Sequence, residues 1–188
     1  MTDLAPLTAL GAAAPRSAAF GALTLAENAD LGLASLAQRR GAPVPVPMGL
    51  ALPGPGLWHA GNGLAAFWTG PGQWMIEAPG RAAEDFAAAL KRAAPEASVT
   101  EQTDGFCAFE IASSAGPAPI VALLEKLVNL DAGAFGPGSA TRTGFEHMSI
   151  FVIRRAEDRL AVLGMRSAAG SIWHALETAA RRLEEMPT

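Results

Sequence analysis

The chain has 188 residues, of which half are hydrophobic and 17% are charged; that is ample apolar material for a packed core and excludes global disorder. A net charge of −4 argues against nucleic acid, which requires a basic face. The lone Cys107 excludes a disulfide framework and a cysteine-based metal site, and suits a reducing cytoplasm.

Residues 1–20 read as a loosely held N-terminal arm. They are alanine-rich, are interrupted by Pro6, Gly11 and Pro15, and lack the basic leader of a signal peptide. No window approaches the roughly 18 apolar residues of a membrane span. The expectation is a cytoplasmic protein without a membrane or nucleic-acid partner. Its single domain would span 21–188, with pseudo-halves at about 21–97 and 98–188.

Two short apolar stretches, 21–25 and 31–37, flank Glu27-Asn28-Ala29-Asp30 and predict a hairpin. Residues 42–63 are dense in Pro and Gly and can hold neither a regular helix nor a central strand. They predict an ordered surface loop anchored by Leu50, Leu52, Leu57 and Trp58. Residues 64–69 and 73–77 predict a second hairpin, with Gly70-Pro71-Gly72 suited to a type II turn. A helix follows over 81–93, burying Ala82, Phe86, Ala89, Leu90 and Ala93, and Pro95 closes it. Residues 99–102 predict a short strand.

The stretch 101–155 organises the rest. Cys107, Phe109 and Ile111 alternate with the period of a half-buried strand. Pro117 stands where a helix can begin, since its missing N–H costs nothing there. Ile120, Leu123, Leu124, Leu127 and Val128 then make one apolar helical face. A Gly/Pro loop over 132–138 stops that helix, and Met148, Ile150 and Val152 resume the alternation. Residues 160–163 pair back across Glu157-Asp158-Arg159, and a last helix over 167–185 buries Ile172, Leu176, Ala179, Ala180 and Leu183. Strands and helices do not alternate one for one, which argues against a doubly wound parallel sheet. The pattern predicts an α+β fold of intertwined ferredoxin-like, split βαβ halves, with antiparallel or mixed sheets and three main helices.

No self-sufficient active site is visible. Residues 61–66 match G-x-G-x-x-A, but a Pro/Gly loop precedes them and a strand follows, so they read as a turn rather than a dinucleotide loop. His59, His147 and His174 are far apart, and no pair has helical metal-site spacing. Glu101 and Asp104 have no nucleophile or histidine at useful spacing, and Cys107 reads as core. This leaves no catalytic, cofactor-binding or metal-binding residue to name. Trp58, Arg142, His147, Trp173 and His174 are the candidates for a subunit interface: tryptophan is favoured at interface hot spots, and the Arg142 guanidinium can hold a carboxylate on a partner.

Four segments carry a family resemblance: FWTGPGQWMIEAP (67–79), SVTEQTDGF (98–106), TRTGFEHM (141–148) and VLGMRSAAGSIWHAL (162–176). In order and spacing the chain resembles the gamma subunits of heterotetrameric sarcosine oxidases from about Leu31 onward. It departs from them in the abbreviated segment Pro43-Val44-Pro45-Val46-Pro47, and at Met165 and Trp173, where Pro and His are expected. Gly116-Pro117 and Asn129-Leu130-Asp131 are similar to motifs of the folate-binding aminomethyltransferase domains of glycine cleavage.

The resemblance implies the intertwined fold and membership of a complex with alpha, beta and delta subunits. That complex would demethylate sarcosine oxidatively to glycine, forming hydrogen peroxide and passing the one-carbon unit to tetrahydrofolate. It implies that FAD, FMN, NAD and tetrahydrofolate sit on the other subunits, with none bound by this chain, whose role is structural. Two other readings stay open. One is a stand-alone folate-binding aminomethyltransferase-like protein, although such enzymes are usually about twice this length. The other is a folate-fold iron–sulfur assembly factor, although that branch carries a Lys-Gly-Cys segment and Cys107 lies in Asp-Gly-Phe-Cys-Ala.

Overall fold

The structure, a computed structural model, describes residues 5–185. The first four residues of the expected arm and the last three of the expected domain lie outside them. Eleven strands and three helices are present, in the order β1 (Ser17–Phe20), β2 (Leu23–Glu27), β3 (Leu31–Gln38), β4 (Trp58–Gly61), β5 (Leu64–Gly70), β6 (Gln73–Pro79), α1 (Phe86–Ala93), β7 (Ala97–Glu101), β8 (Phe106–Ser113), α2 (Ala118–Leu127), β9 (Ala140–Phe145), β10 (Met148–Ala156), β11 (Arg159–Met165) and α3 (Ala169–Glu184).

They form two antiparallel sheets. Sheet A runs β1-β2-β8-β11-β10-β9 and sheet B runs β4-β5-β6-β3-β7. Each contains a split βαβ unit. In sheet A, β8 and β10 are joined through α2 and the edge strand β9, with β11 between them; in sheet B, β6 and β7 are joined through α1 with β3 between them. The fold is therefore α+β, with antiparallel sheets and three helices as the sequence predicts.

Three apolar clusters stack the layers. Ile120, Leu123 and Leu124 of α2, with Ile172, Trp173 and Leu176 of α3, pack on Cys107, Phe109 and Ile111 of sheet A. Phe86 and Leu90 of α1 pack on Ala34, Leu36 and Ile76 of sheet B. Leu33, Phe67 and Met75 of sheet B meet Ala108, Ile153 and Leu163 of sheet A. The order of layers is α2/α3, sheet A, sheet B, α1. Burying a dozen or more large side chains, each contributing about 1.5–3 kcal/mol, holds these layers together.

Local turn chemistry sets the correct hairpins. Asn62 and Gly63 both take positive φ (54° and 75°) between β4 and β5, as a two-residue type I′ turn requires. Gly72, at φ 65°, fits the type II turn between β5 and β6. Asp85 caps α1 by accepting from the Ala88 N–H at 2.9 Å, so that helix starts at Phe86 rather than at 81.

Four expectations change. The two stretches around Glu27–Asp30 are not a hairpin: β2 pairs with β8 in sheet A and β3 with β6 and β7 in sheet B. The segment between them crosses from one sheet to the other. Residues 17–20 of the expected arm are ordered as β1, paired with β2. Residues 58–61, inside the expected Pro/Gly loop, form the edge strand β4, and residues 140–145, for which the sequence predicts no element, form β9 at the edge of sheet A.

Candidate functional site

The most concentrated polar chemistry lies between the sheets. Glu77 on β6 is 1% exposed and carries two partners. Arg155 Nη2 reaches its Oε1 at 2.7 Å, and Trp58 Nε1 donates to its Oε2 at 2.7 Å. Arg155 also holds Glu110 of β8, with Nε to Oε2 at 3.0 Å and Nη2 to Oε1 at 3.0 Å. Arg155 and Glu110 belong to strands that flank β11, and the β11 residue paired with Glu110 is Ala161, whose small side chain leaves room for the bridge.

Burial by itself would lower the Arg155 pKa; the two carboxylates, Glu77 above all, more than offset it and raise it above the usual guanidinium range. The guanidinium also lies 5.3 Å from the Trp58 ring centroid, within cation–π range. This network pins sheet to sheet. Both acidic groups in it are held in ion pairs with Arg155.

A cavity of about 360 Å³ lies beneath residues 6–15, with Glu27, Thr103, Asp104, Cys107 and Arg166 among its walls. Its roof is strapped on. Glu27 accepts the Leu10 N–H at 3.0 Å and the Arg16 N–H at 3.2 Å, and Arg166 Nη2 donates to the Leu7 carbonyl at 2.7 Å. The volume falls within the usual small-ligand range. Burial pushes the Cys107 thiol up to about 11, and its Sγ faces the Gly164 carbonyl at 3.5 Å. No histidine lines the cavity. Cys107 is therefore a neutral core thiol without a base, as its alternation with Phe109 predicts.

The residues proposed for an interface divide. Trp173 is corrected to core: it is 2% exposed, packs edge-on against Phe109 at 5.6 Å and donates to Glu177 at 3.0 Å. It faces inward beside Ile172, a neighbour on the apolar face of α3. Trp58 is half-buried and committed to Glu77. Arg142 and His147 are exposed on the β9–β10 hairpin, and His174 is exposed on α3. The expected anchors of the Pro/Gly loop also divide. Leu50 is fully buried, whereas Leu57 is half exposed, as are Val44 and Val46. Sequence reasoning missed Glu77, Glu110 and Arg155. Their one signal is Glu77 within the apolar run of β6, where an acid is out of place unless it is paired.

Among the described residues no group of three His, Cys, Asp or Glu side chains is placed to hold a metal ion. No described helix is long and apolar enough to cross a membrane.

No protein-family model matches this chain, and no curated protein matches it by sequence. Solved structures do. A chain of the heterotetrameric sarcosine oxidase from Corynebacterium sp. U-96 superposes with a TM-score of 0.74 at 22% identity, over 91% of this chain and 90% of that one. The glycine cleavage system aminomethyltransferase T from Bartonella henselae superposes with a TM-score of 0.58 at 17% identity, over 82% of this chain but 48% of that one. The chain thus spans about half of the aminomethyltransferase and nearly all of the oxidase chain. The fold is shared with both.

Proposed function

We propose that this chain is a non-catalytic structural subunit, of gamma type, in a heterotetrameric sarcosine-oxidising complex. The observation that carries this reading is the end-to-end match to one chain of such an oxidase, at nearly equal length. The chemistry of the described residues supports it. The buried Glu77, with Arg155, is spent on joining the two sheets, and the one thiol has no base.

In this reading alpha, beta and delta subunits complete the assembly in the cytoplasm. FAD, FMN, NAD and tetrahydrofolate reside on those subunits, and this chain braces the large folate-binding one. The aminomethyltransferase alternative has the weaker structural support, with a TM-score of 0.58 against 0.74.

The test is purification of the tagged chain from its native host, with its partners weighed by mass. A stoichiometric, flavin-coloured complex that releases peroxide when given sarcosine is the expected result. Recovery of the chain alone and colourless would overturn the reading, and tetrahydrofolate binding by the isolated chain would move it to the alternative.

A further inference from the structure

We propose that the outer edge of β9 is where a partner subunit adds an extended strand to sheet A, and that this strand carries a carboxylate facing Arg142. The inference rests on the subunit reading above and names the surface that subunit uses.

In an antiparallel pair, successive residues direct their backbone groups alternately toward the partner strand and away from it. Phe145 pairs with Met148 across the two-residue turn Glu146-His147, followed by Thr143 with Ile150 and Thr141 with Val152. Phe145, Thr143 and Thr141 therefore face β10 with their backbone groups, while Gly144, Arg142 and Ala140 face outward. Ala140 bears this out, since its N–H donates to the Gly56 carbonyl at 2.9 Å. The Arg142 and Gly144 N–H groups have no such acceptor among the described residues. Their carbonyls meet only the Thr141 and Thr143 hydroxyls, at a long 3.5 Å.

The other sheet edges are shorter or shielded. β1 and β4 have four residues each. β7 ends in Glu101, whose carboxylate takes the N–H groups of Gln102 and Thr103 at 3.1 and 3.0 Å. β9 has six residues and a regular register, without the proline or bulge by which soluble proteins block an edge; its one charge is Arg142.

Charge selects the occupant. Arg142 is exposed, its Nε is steadied by Ser149 Oγ at 2.7 Å, and it joins no ion pair among the described residues. In a two-fold pairing of this free stretch with a second copy, the two Arg142 side chains fall opposite or diagonal to each other, which is unfavourable. A partner strand with Asp or Glu there gains a charge-assisted pair instead. Where β9 meets residues 56–58, a groove lined by Pro53, Leu57, Trp58 and Pro137 continues the edge. Apart from His59 the groove's walls are apolar or backbone, and residues 41–76 contain no Asp, Glu, Lys or Arg, so the groove suits an apolar side chain of the same incoming segment.

The test compares the isolated chain with the purified complex by amide hydrogen exchange, and compares variants by how much partner they retain. Gly144→Pro removes one outward N–H, breaks no bond to β10, and places new atoms where a side chain meets open space. Arg142→Glu reverses the charge. Thr143→Pro, which removes an inward N–H, is the control for damage to the fold. The expected result is that exchange at Arg142 and Gly144 slows by about 100-fold or more in the complex. Both edge variants should lose about tenfold or more in partner retention with unchanged melting of the isolated chain.

A complex that keeps Gly144→Pro in full, with both amides still fast, overturns the edge and leaves the subunit reading standing. A homodimer that Gly144→Pro dissolves assigns the edge to a second copy and overturns the acidic partner. A chain that stays single, with open amides, overturns edge and subunit reading together.

Discussion

Arg154 and Arg155 are neighbours on β10 whose guanidinium groups lie on opposite faces of sheet A in opposite electrostatic circumstances. Arg155 faces sheet B and is gripped by Glu77 and Glu110. Arg154 faces the helices, is 2% exposed, and has carbonyl partners in the β10–β11 turn: Nε donates to Ala156 at 2.9 Å and Nη2 to Glu157. Its Nη1 has no partner among the described residues. Burial holds its pKa below the usual guanidinium range, with Glu157 and Asp158 offsetting only part of that.

Substitution of the two should therefore diverge. Arg155→Met leaves Glu77 buried and uncompensated, and should cost about 3–5 kcal/mol. Arg154→Met removes a poorly satisfied buried charge and should fall within about 1 kcal/mol of the parent. Urea denaturation of the two variants checks this, and equal losses would refute the contrast.

Gly164 on β11 sits where α3 presses on sheet A. A Cβ there would lie 2.3 Å from Ile172 Cδ1 and 3.2 Å from Ile150 Cγ2. Gly164→Ala should cost about 1–3 kcal/mol by overpacking. Ile172→Val removes the offending Cδ1, so in that background the penalty should shrink by about half or more. A double-mutant cycle measured by thermal melting tests the coupling, and strict additivity would rule it out.

Cys107 sets an alkaline limit. Its thiol is pushed by burial to about 11, against an ordinary value of 9.0. The unfolded chain releases this proton first, so stability is full below about 9 and falls as pH rises through about 11. Cys107→Ala should flatten that decline while lowering stability at neutral pH. Melting temperatures from pH 7 to 11 would show it, and an unchanged slope in the variant would count against it.

Glu101 works at the acid end. Burial raises its pKa, but hydrogen bonds from Thr103 above all, with the Ala87 and Gln102 N–H groups, outweigh burial and leave it below 4.5. Its Oε2 takes the Ala87 N–H at 3.0 Å and so tethers α1 to β7. A depressed carboxylate stabilises above its unfolded value, and that stability is lost as pH falls through the folded value. Glu101→Gln should remove this acid-side dependence and speed amide exchange in α1 selectively.

Much of the fold was legible in the sequence because the information was local. The β5–β6 and β10–β11 hairpins and the three helices rest on turn residues and on apolar spacing within a few turns. What escaped was non-local. Glu27–Asp30 has the chemistry of a hairpin turn, and only the pairing of β2 with Phe106–Ser113 sends its two sides to different sheets. Thr-Arg-Thr-Gly shows no apolar alternation because β9 is an edge strand, buried on little of its surface. Glu77 signalled a buried partner without naming one, since Arg155 is remote in sequence. Trp173 was a candidate for a surface role, yet Ile172 and Leu176 around it already mark the buried face of α3.

The crossing of β2 into sheet A has a consequence for how the protein is made. As the chain leaves the ribosome, Leu23, Leu25 and Phe20 emerge with an apolar face and an unpaired edge, yet the strand that receives them, β8, is translated only after sheet B's strands. β1 and β2 must wait, exposed, while residues 28–105 are made, and long-range pairings of this kind close slowly. Neither half can complete its sheet alone. A cell that makes this protein in quantity has reason to shield the nascent strand, and fragments cut between the halves should be recovered together or not at all.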